Sequence, residues 1–317
     1  GDLDRDGRPE IVIGFERNLL VCHLGEGRLT EIAGVDFSSR QQLVAVSILD
    51  LDGDGRGEVI VSLFEQDRAK TRVFAFADGR LSPVADAPML LAAYRSSQGE
   101  NMLVGIGGRA MLDADPQLFR ANLADGRLST QPIHLPGIHQ PFGVTGFADA
   151  SGTRLLASLT DQGRLRVNDD KGQVLWESAD KFGGSTRGVK IPQPGQRRVY
   201  DYDTYFFHSR LTCTPEGTLL VSQHDGPGPF KNYPNYQKGR LVELKWDGAM
   251  LEAVSRTRPL GGMIVDFDQV DLHQDGRMDL LAAVVYRKQG VFTEPAVGLV
   301  VLTPSTQHKP AGELPDQ

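Results

Sequence analysis

Apolar and polar residues alternate with a period of two along most of this chain. The clearest stretches read LLVCHLGEGRLTEI at 19–32, RVFAFADGRLSPV at 72–84, QLFRANLADGRLSTQ at 117–131, RLRVNDDKGQVLWES at 164–178 and GRLVELKWDGAMLEAVS at 239–255. That period sends successive side chains to opposite faces of a strand. Each stretch breaks at a turn carrying Gly, and four of the five turns also carry Asp. Gly tolerates the positive φ that tight turns often need, so the pattern predicts five β-hairpins.

A further apolar strand precedes each hairpin: PEIVIG at 9–14, EVIVSLF at 58–64, NMLVGIG at 101–107, RLLASL at 154–159 and TLLVSQ at 218–223, with a sixth copy, MDLLAAVVY, at 278–286. Each follows a glycine (Gly7, Gly55, Gly99, Gly152, Gly217, Gly276), at spacings of 48, 44, 53, 65 and 59 residues. A four-stranded propeller blade with its loops has this size. Helical periodicity is nearly absent. The prediction is an all-β chain: a β-propeller of six or seven four-stranded antiparallel blades over residues 1–303, followed by a polar tail at 304–317. The chain opens inside a loop, so the first unit is expected to lack its leading strand. The last shows no fourth strand after VGLVVLT at 297–303. Residues upstream would complete a six-blade ring or add a seventh blade, and the pattern leaves both open.

Composition narrows the function. The chain has 317 residues, 24% of them charged, and a net charge of −7. Nucleic-acid binders need a concentrated basic face, so the charge argues against that partner class and none is expected. No apolar run is long enough to span a bilayer as a helix. The two cysteines, Cys22 and Cys213, sit in apolar strand-like runs and read as buried thiols in blades that are not neighbours.

Three loops carry candidate chemistry. They are Asp2-Leu3-Asp4-Arg5-Asp6-Gly7-Arg8-Pro9-Glu10, Asp50-Leu51-Asp52-Gly53-Asp54-Gly55-Arg56-Gly57-Glu58 and Asp271-Leu272-His273-Gln274-Asp275-Gly276-Arg277-Met278-Asp279. The shared pattern is acid at positions 1, 3, 5 and 9 with Gly at 6. Calcium is a hard cation that takes six to eight oxygens, and alternate carboxylates on a tight loop converge on one point. Position 7 (Arg8, Arg56, Arg277) offers a backbone carbonyl. Three converging acids without a cation would repel each other. Two calcium sites are expected. The third loop is a weaker candidate, because His273 replaces the acid at position 3 and imidazole suits calcium poorly. The corresponding segments before Gly152 and Gly217 have lost the ligands.

These loops and repeats resemble the FG-GAP (VCBS-type) repeats of bacterial surface and periplasmic proteins and of the integrin α-subunit head. The resemblance is specific in the first, second and last units and weak in the middle. It implies calcium at Asp2, Asp4, Asp6 and Glu10, and at Asp50, Asp52, Asp54 and Glu58, with the last loop fitting through Asp271, Asp275 and Asp279. It implies a ligand-binding or structural module of the periplasm, cell surface or extracellular space, not a catalyst.

Enzyme readings find little support. NDDKGQVLWES at 168–178 is similar to one quinoprotein propeller repeat, but it occurs once, and Trp176 reads as a packing residue. No G-x-S-x-G or H-E-x-x-H motif is present. His134 and His139 flank a Pro-Gly loop and read as loop features. The aromatic stretches YDYDTYFFHSR at 200–210 and HDGPGPFKNYPNYQKG at 224–239 interrupt the repeat. Phe206 and Phe207 read as inner strand and core of the fifth unit. Phe230, Tyr233 and Tyr236 lie on a Pro/Gly-rich loop and read as a contact surface for a protein partner, or alternatively a glycan.

Overall fold

The computed structural model describes residues 1–303 apart from 16, 26, 67, 109–110, 112, 114, 186, 193–201, 215, 226–237 and 287–295. Six antiparallel sheets follow one another along the chain. The first holds β1 (Ile11–Phe15), β2 (Asn18–Gly25) and β3 (Arg28–Asp36). The second holds β4 (Gln41–Leu49), β5 (Glu58–Glu65), β6 (Arg68–Ala77) and β7 (Arg80–Ala87). The third holds β8 (Met89–Arg95), β9 (Asn101–Gly107), β10 (Leu118–Ala124) and β11 (Arg127–Ile133). The fourth holds β12 (Val144–Ala148), β13 (Arg154–Leu159), β14 (Arg164–Asp169) and β15 (Val174–Lys181). A separate pair, β16 (Gly188–Pro192) and β17 (Tyr202–Phe206), comes next. The fifth sheet holds β18 (Leu211–Cys213), β19 (Leu219–Asp225), β20 (Lys238–Trp246) and β21 (Leu251–Arg256). The sixth holds β22 (Gly262–Val270), β23 (Asp279–Tyr286) and β24 (Val297–Leu302).

Each sheet is a meander whose strands pair in sequence order, and consecutive sheets pack side by side: a six-bladed β-propeller with no α-helix among the described residues. The end blades have three strands each, and blades two to five have four. The core lies between blades. Leu19, Val21, Val59 and Val61 pack blade one on blade two. Ile60, Val73, Leu91 and Leu103 pack two on three. Val167, Leu219 and Val242 join four to five, with half-buried Trp176 packed against them, and Leu220, Ile264 and Val284 join five to six. Full burial of one such side chain stabilises the fold by about 1.5–3 kcal/mol.

Polar atoms also tie blades two and three. Ser62 Oγ donates to Leu91 O at 2.7 Å, and Thr71 Oγ1 donates to Met89 O at 2.8 Å. Leu91 N donates back to both hydroxyls, at 2.9 and 3.0 Å.

The aromatic stretch at 200–210 departs from expectation. Tyr202–Phe206 forms β17, which pairs with β16 outside any blade, while the inner strand of blade five is the shorter β18. Phe207 is core at 2% exposure, but Phe206 is 37% exposed. Strand alternation explains the split: neighbours on an extended chain face opposite ways. Val189 and Ile191 of β16 pack with Val44, Leu90, Phe142 and Phe207 in a core shared by blades two, three and four. Arg187 Nη1 donates to Val44 O at 3.0 Å, and Gln42 Nε2 to Gly188 O at 3.1 Å. Arg210 makes a bidentate pair with Asp266 of β22, at 2.7 and 3.0 Å, and also donates to Val46 O of β4. The β16 segment and the chain entering β18 are thus bonded to inner strands β4 and β22, far from them in sequence. Cys22 and Cys213 are free thiols.

Candidate metal centres

In a meander, successive turns alternate between the two faces of the ring. The acidic loops at 1–10, 50–57 and 271–278 therefore share one face with hairpin turns such as Asp78-Gly79. Within each loop the carboxylates first satisfy the loop's own backbone. Asp2 Oδ1 accepts from Arg5 N at 2.7 Å and Oδ2 from Gly7 N at 3.1 Å. Asp4 Oδ1 accepts from Asp6 N at 3.0 Å, and Asp6 Oδ1 from Arg8 N at 2.7 Å. Glu10 Oε2 accepts from Leu3 N at 2.7 Å, anchoring the loop from the foot of β1.

Loop two repeats this pattern. Asp50 takes Gly53 N at 2.7 Å and Gly55 N at 3.0 Å. Asp52 takes Asp54 N at 3.1 Å, Asp54 takes Arg56 N at 2.7 Å, and Glu58 takes Leu51 N at 2.7 Å. The same bond serves each position in both loops. Asp4, Asp6, Asp52 and Asp54 each keep one oxygen out of it.

Three carboxylates converge in each loop, with Glu10 outside the first set and Asp54 outside the second. Ligand atoms of Asp2, Asp4 and Asp6 lie within 4.8 Å of one another, as do those of Asp50, Asp52 and Glu58. Glu10 is 1% exposed, and its Oε1 accepts no hydrogen bond, with His23 Nδ1 3.7 Å away. Burial raises the Glu10 and Glu58 carboxyls above the usual carboxylate range, and the neighbouring aspartates add to the rise. A divalent cation among the carboxylates would offset both effects. The donors are hard oxygens, so the residues present fit calcium.

The third loop shares the frame but not the centre. Asp271 Oδ2 accepts from Gly276 N at 2.9 Å, and Asp275 Oδ1 from Arg277 N at 3.0 Å, as in the other loops. However, His273 Nδ1 stands 2.9 Å from Asp279 Oδ2, so an imidazole engages the carboxylate that would close the shell. No three ligand atoms converge there among the described residues. In blade four, Asp149 Oδ1 closes its own turn on Ser151 N and Thr153 N, both at 2.8 Å.

Two features escape a reading of the residue pattern. Position 6 has positive φ in all three loops (Gly7 86°, Gly55 87°, Gly276 80°), but so does position 4, at Arg5 (66°), Gly53 (80°) and Gln274 (55°). Only loop two shows a glycine there. The other two position-4 side chains bridge loops: Arg5 Nη1 donates to Asp54 O at 3.1 Å, and Gln274 Nε2 donates to Gly7 O. The three loops thus form one continuous sector spanning blades six, one and two. The proposed contact residues Phe230, Tyr233 and Tyr236 lie outside the described residues.

The class is therefore a six-bladed β-propeller with acidic loops on one face. Residues 2–61 match the FG-GAP-like repeat family, a span covering both convergent loops, all of blade one, and β4 and the start of β5 in blade two. Fold and match together support an FG-GAP/VCBS-type propeller. No curated protein matches the chain. Among solved structures it is similar to a protein of unknown function from Bacteroides caccae, at 12% identity over 88% of this chain and 84% of that one, with a TM-score of 0.47. No described helix is long and apolar enough to cross a membrane.

Proposed function

We propose that this chain is a calcium-stabilised binding module of the cell envelope or extracellular space that presents a protein-binding face and carries out no chemistry. The observation behind the calcium reading is the bond-for-bond identity of the first two loops, together with three carboxylates whose ligand atoms gather within 4.8 Å in each. Asp2, Asp4, Asp6 and Glu10 would hold one ion, and Asp50, Asp52, Asp54 and Glu58 the other. Calcium supplies charge neutralisation here. The loops enter strands and are tied to one another, so its role is to fix the sector from blade six to blade two. FG-GAP repeats are typically extracellular or envelope-associated and non-enzymatic, which supports the location and the absence of catalysis.

The direct test is calorimetric titration of calcium into chelator-treated protein. Two equivalents are expected, falling to one in Asp52→Asn/Asp54→Asn. No binding heat with millimolar calcium would remove the ion from this reading. For the partner, Tyr233→Ala/Tyr236→Ala is expected to lower recovery of an envelope protein by the immobilised chain without changing its melting temperature. A large drop in melting temperature instead would make these rings core.

A further inference from the structure

The face opposite the acidic loops carries a cavity of about 300 Å³. It is walled by the connection entering β12, the turn from β13 to β14 and the chain around β17. These pieces are far apart in sequence, and the fold brings them together there. Gly143 makes the close packing feasible: its φ is +65°, and a Cβ would stand 2.6 Å from His208 Cβ.

The wall is built. Phe142 and Tyr205 both pack edge-on against Phe207, with ring centroids 5.1 and 5.3 Å away, which fixes two aromatic surfaces. Gln140 is 6% exposed, and its Oε1 accepts from His208 N at 3.1 Å. The amide nitrogen makes no hydrogen bond to a described group. Ser158 is 8% exposed and lines the same cavity, and its hydroxyl likewise has no protein partner among the described residues. The Tyr205 hydroxyl has none either. Burial, reinforced by Asp161, raises the phenol well above its usual range, so it stays a donor. His208 Nε2 stands 3.1 Å from Asp161 Oδ1 at the rim.

None of these three atoms is sealed inside the protein, so each faces the cavity, where water or a ligand can bond to it. A primary amide and two hydroxyls are neutral, and together they both donate and accept. Of the charged groups in the lining, Arg166 already makes two bonds to Glu177 Oε2, at 2.9 and 2.7 Å, and the carboxylates Asp113 and Asp161 are exposed to solvent, which leaves all three poorly placed to recruit an ion of opposite charge. The matching ligand is uncharged, rich in hydroxyls and apolar on one face.

We propose that this cavity binds a neutral saccharide residue, with Gln140, Ser158 and Tyr205 bonding its hydroxyls and Phe142 against its C–H face. This site rests on neither the calcium reading nor the protein-partner reading.

The test is saturation-transfer NMR followed by calorimetry, with glucose, galactose, mannose and their disaccharides as probes and glucuronate and glucosamine as charged comparators. A neutral sugar is expected to bind. Tyr205→Phe and Ser158→Ala each remove a single hydroxyl and keep the packing, and each is expected to weaken binding about tenfold. Gln140→Leu should weaken it at least as much. If that variant does not fold, the two hydroxyl deletions decide. Chelator should leave binding in place, because the loops lie on the other face, so a failed calcium reading and a failed cavity reading are separable. The proposal is overturned if no neutral sugar binds at millimolar concentration, if a charged comparator binds tightest, or if both hydroxyl deletions bind like the parent.

Discussion

Chelation is the perturbation that best probes the acidic loops. Each convergent loop gathers ligand atoms of three acids within 4.8 Å while its carboxylates also brace the loop's own backbone. Extracellular calcium modules bind with dissociation constants on the order of 10⁻⁴–10⁻³ M. At about ten times that concentration, linkage gives roughly 1.4 kcal/mol per site and about 3 kcal/mol for two. Unfolding entropies near 2.1 cal/mol/K per residue, over 317 residues, convert this to a rise in melting temperature of about 4 °C. The assay is thermal unfolding with excess calcium and with chelator. Asp52→Asn/Asp54→Asn keeps the side-chain oxygens that accept from Asp54 N and Arg56 N, so the turn survives while the charge is lost. That variant should keep about half the calcium-dependent rise. If the parent melts at the same temperature in both conditions, with metal analysis confirming an empty chelated sample, the acidic loops are not structural calcium sites.

Three further outcomes follow from the geometry. His273→Asp removes the imidazole from Asp279 and restores the acid at position 3, so calorimetry should count a third calcium; a count still at two would mean that the frame of loop three is wrong. Ser62→Ala leaves Thr71 as the remaining hydroxyl partner of Leu91 N and strips Leu91 O of a donor, so it should cost about 1–3 kcal/mol in denaturant unfolding; a cost below about 0.5 kcal/mol would discount the polar tie between blades two and three. His224 is held neutral: burial lowers its pKa below the usual value, Nδ1 lies 2.6 Å from Gly183 O, and Nε2 accepts from Ile264 N at 3.0 Å. The unfolded chain then takes up the proton first, so stability present above about pH 6.5 is lost as pH falls below it. Melting temperature from pH 8 to 5 should drop more steeply in the parent than in His224→Gln, and parallel slopes would refute the assignment.

The blades were legible because each strand buries alternate residues and each hairpin turn needs Gly, so both leave periodic marks. The loops were legible for the same reason, at positions where only a carboxylate or a glycine serves. Position 4 was not, because Arg5 and Gln274 adopt a left-handed backbone without being glycine and are held by bonds to neighbouring loops. His273 marks the third loop as different, since a ring nitrogen stands where the other loops set a hard carboxylate oxygen. Phe206 and Phe207 could not be told apart by hydrophobicity, because strand phase alone sends one to solvent and the other to the core. The cavity left no mark at all: Gln140, Ser158 and Tyr205 come from three elements that share no motif.

The bonds from the β16 segment and the chain entering β18 also bear on how the chain folds. Gln42 to Gly188, Arg187 to Val44 and Arg210 to Val46 join residues 146, 143 and 164 positions apart, whereas pairing within a blade joins strands adjacent in sequence. Closing such long loops is entropically costly and rewarded only late, so the blades can form before the β16–β17 hairpin docks. Contacts made after the transition state govern how fast a protein comes apart, not how fast it assembles. Arg187→Met, which removes the bond from the start of β16 to Val44 O, should therefore speed unfolding and barely change refolding in stopped-flow denaturant jumps, and a slowed refolding limb would place the hairpin in the nucleus instead. On this account the hairpin is the fold's kinetic latch: the blades set how quickly the ring is built, and the latch sets how long it stays closed.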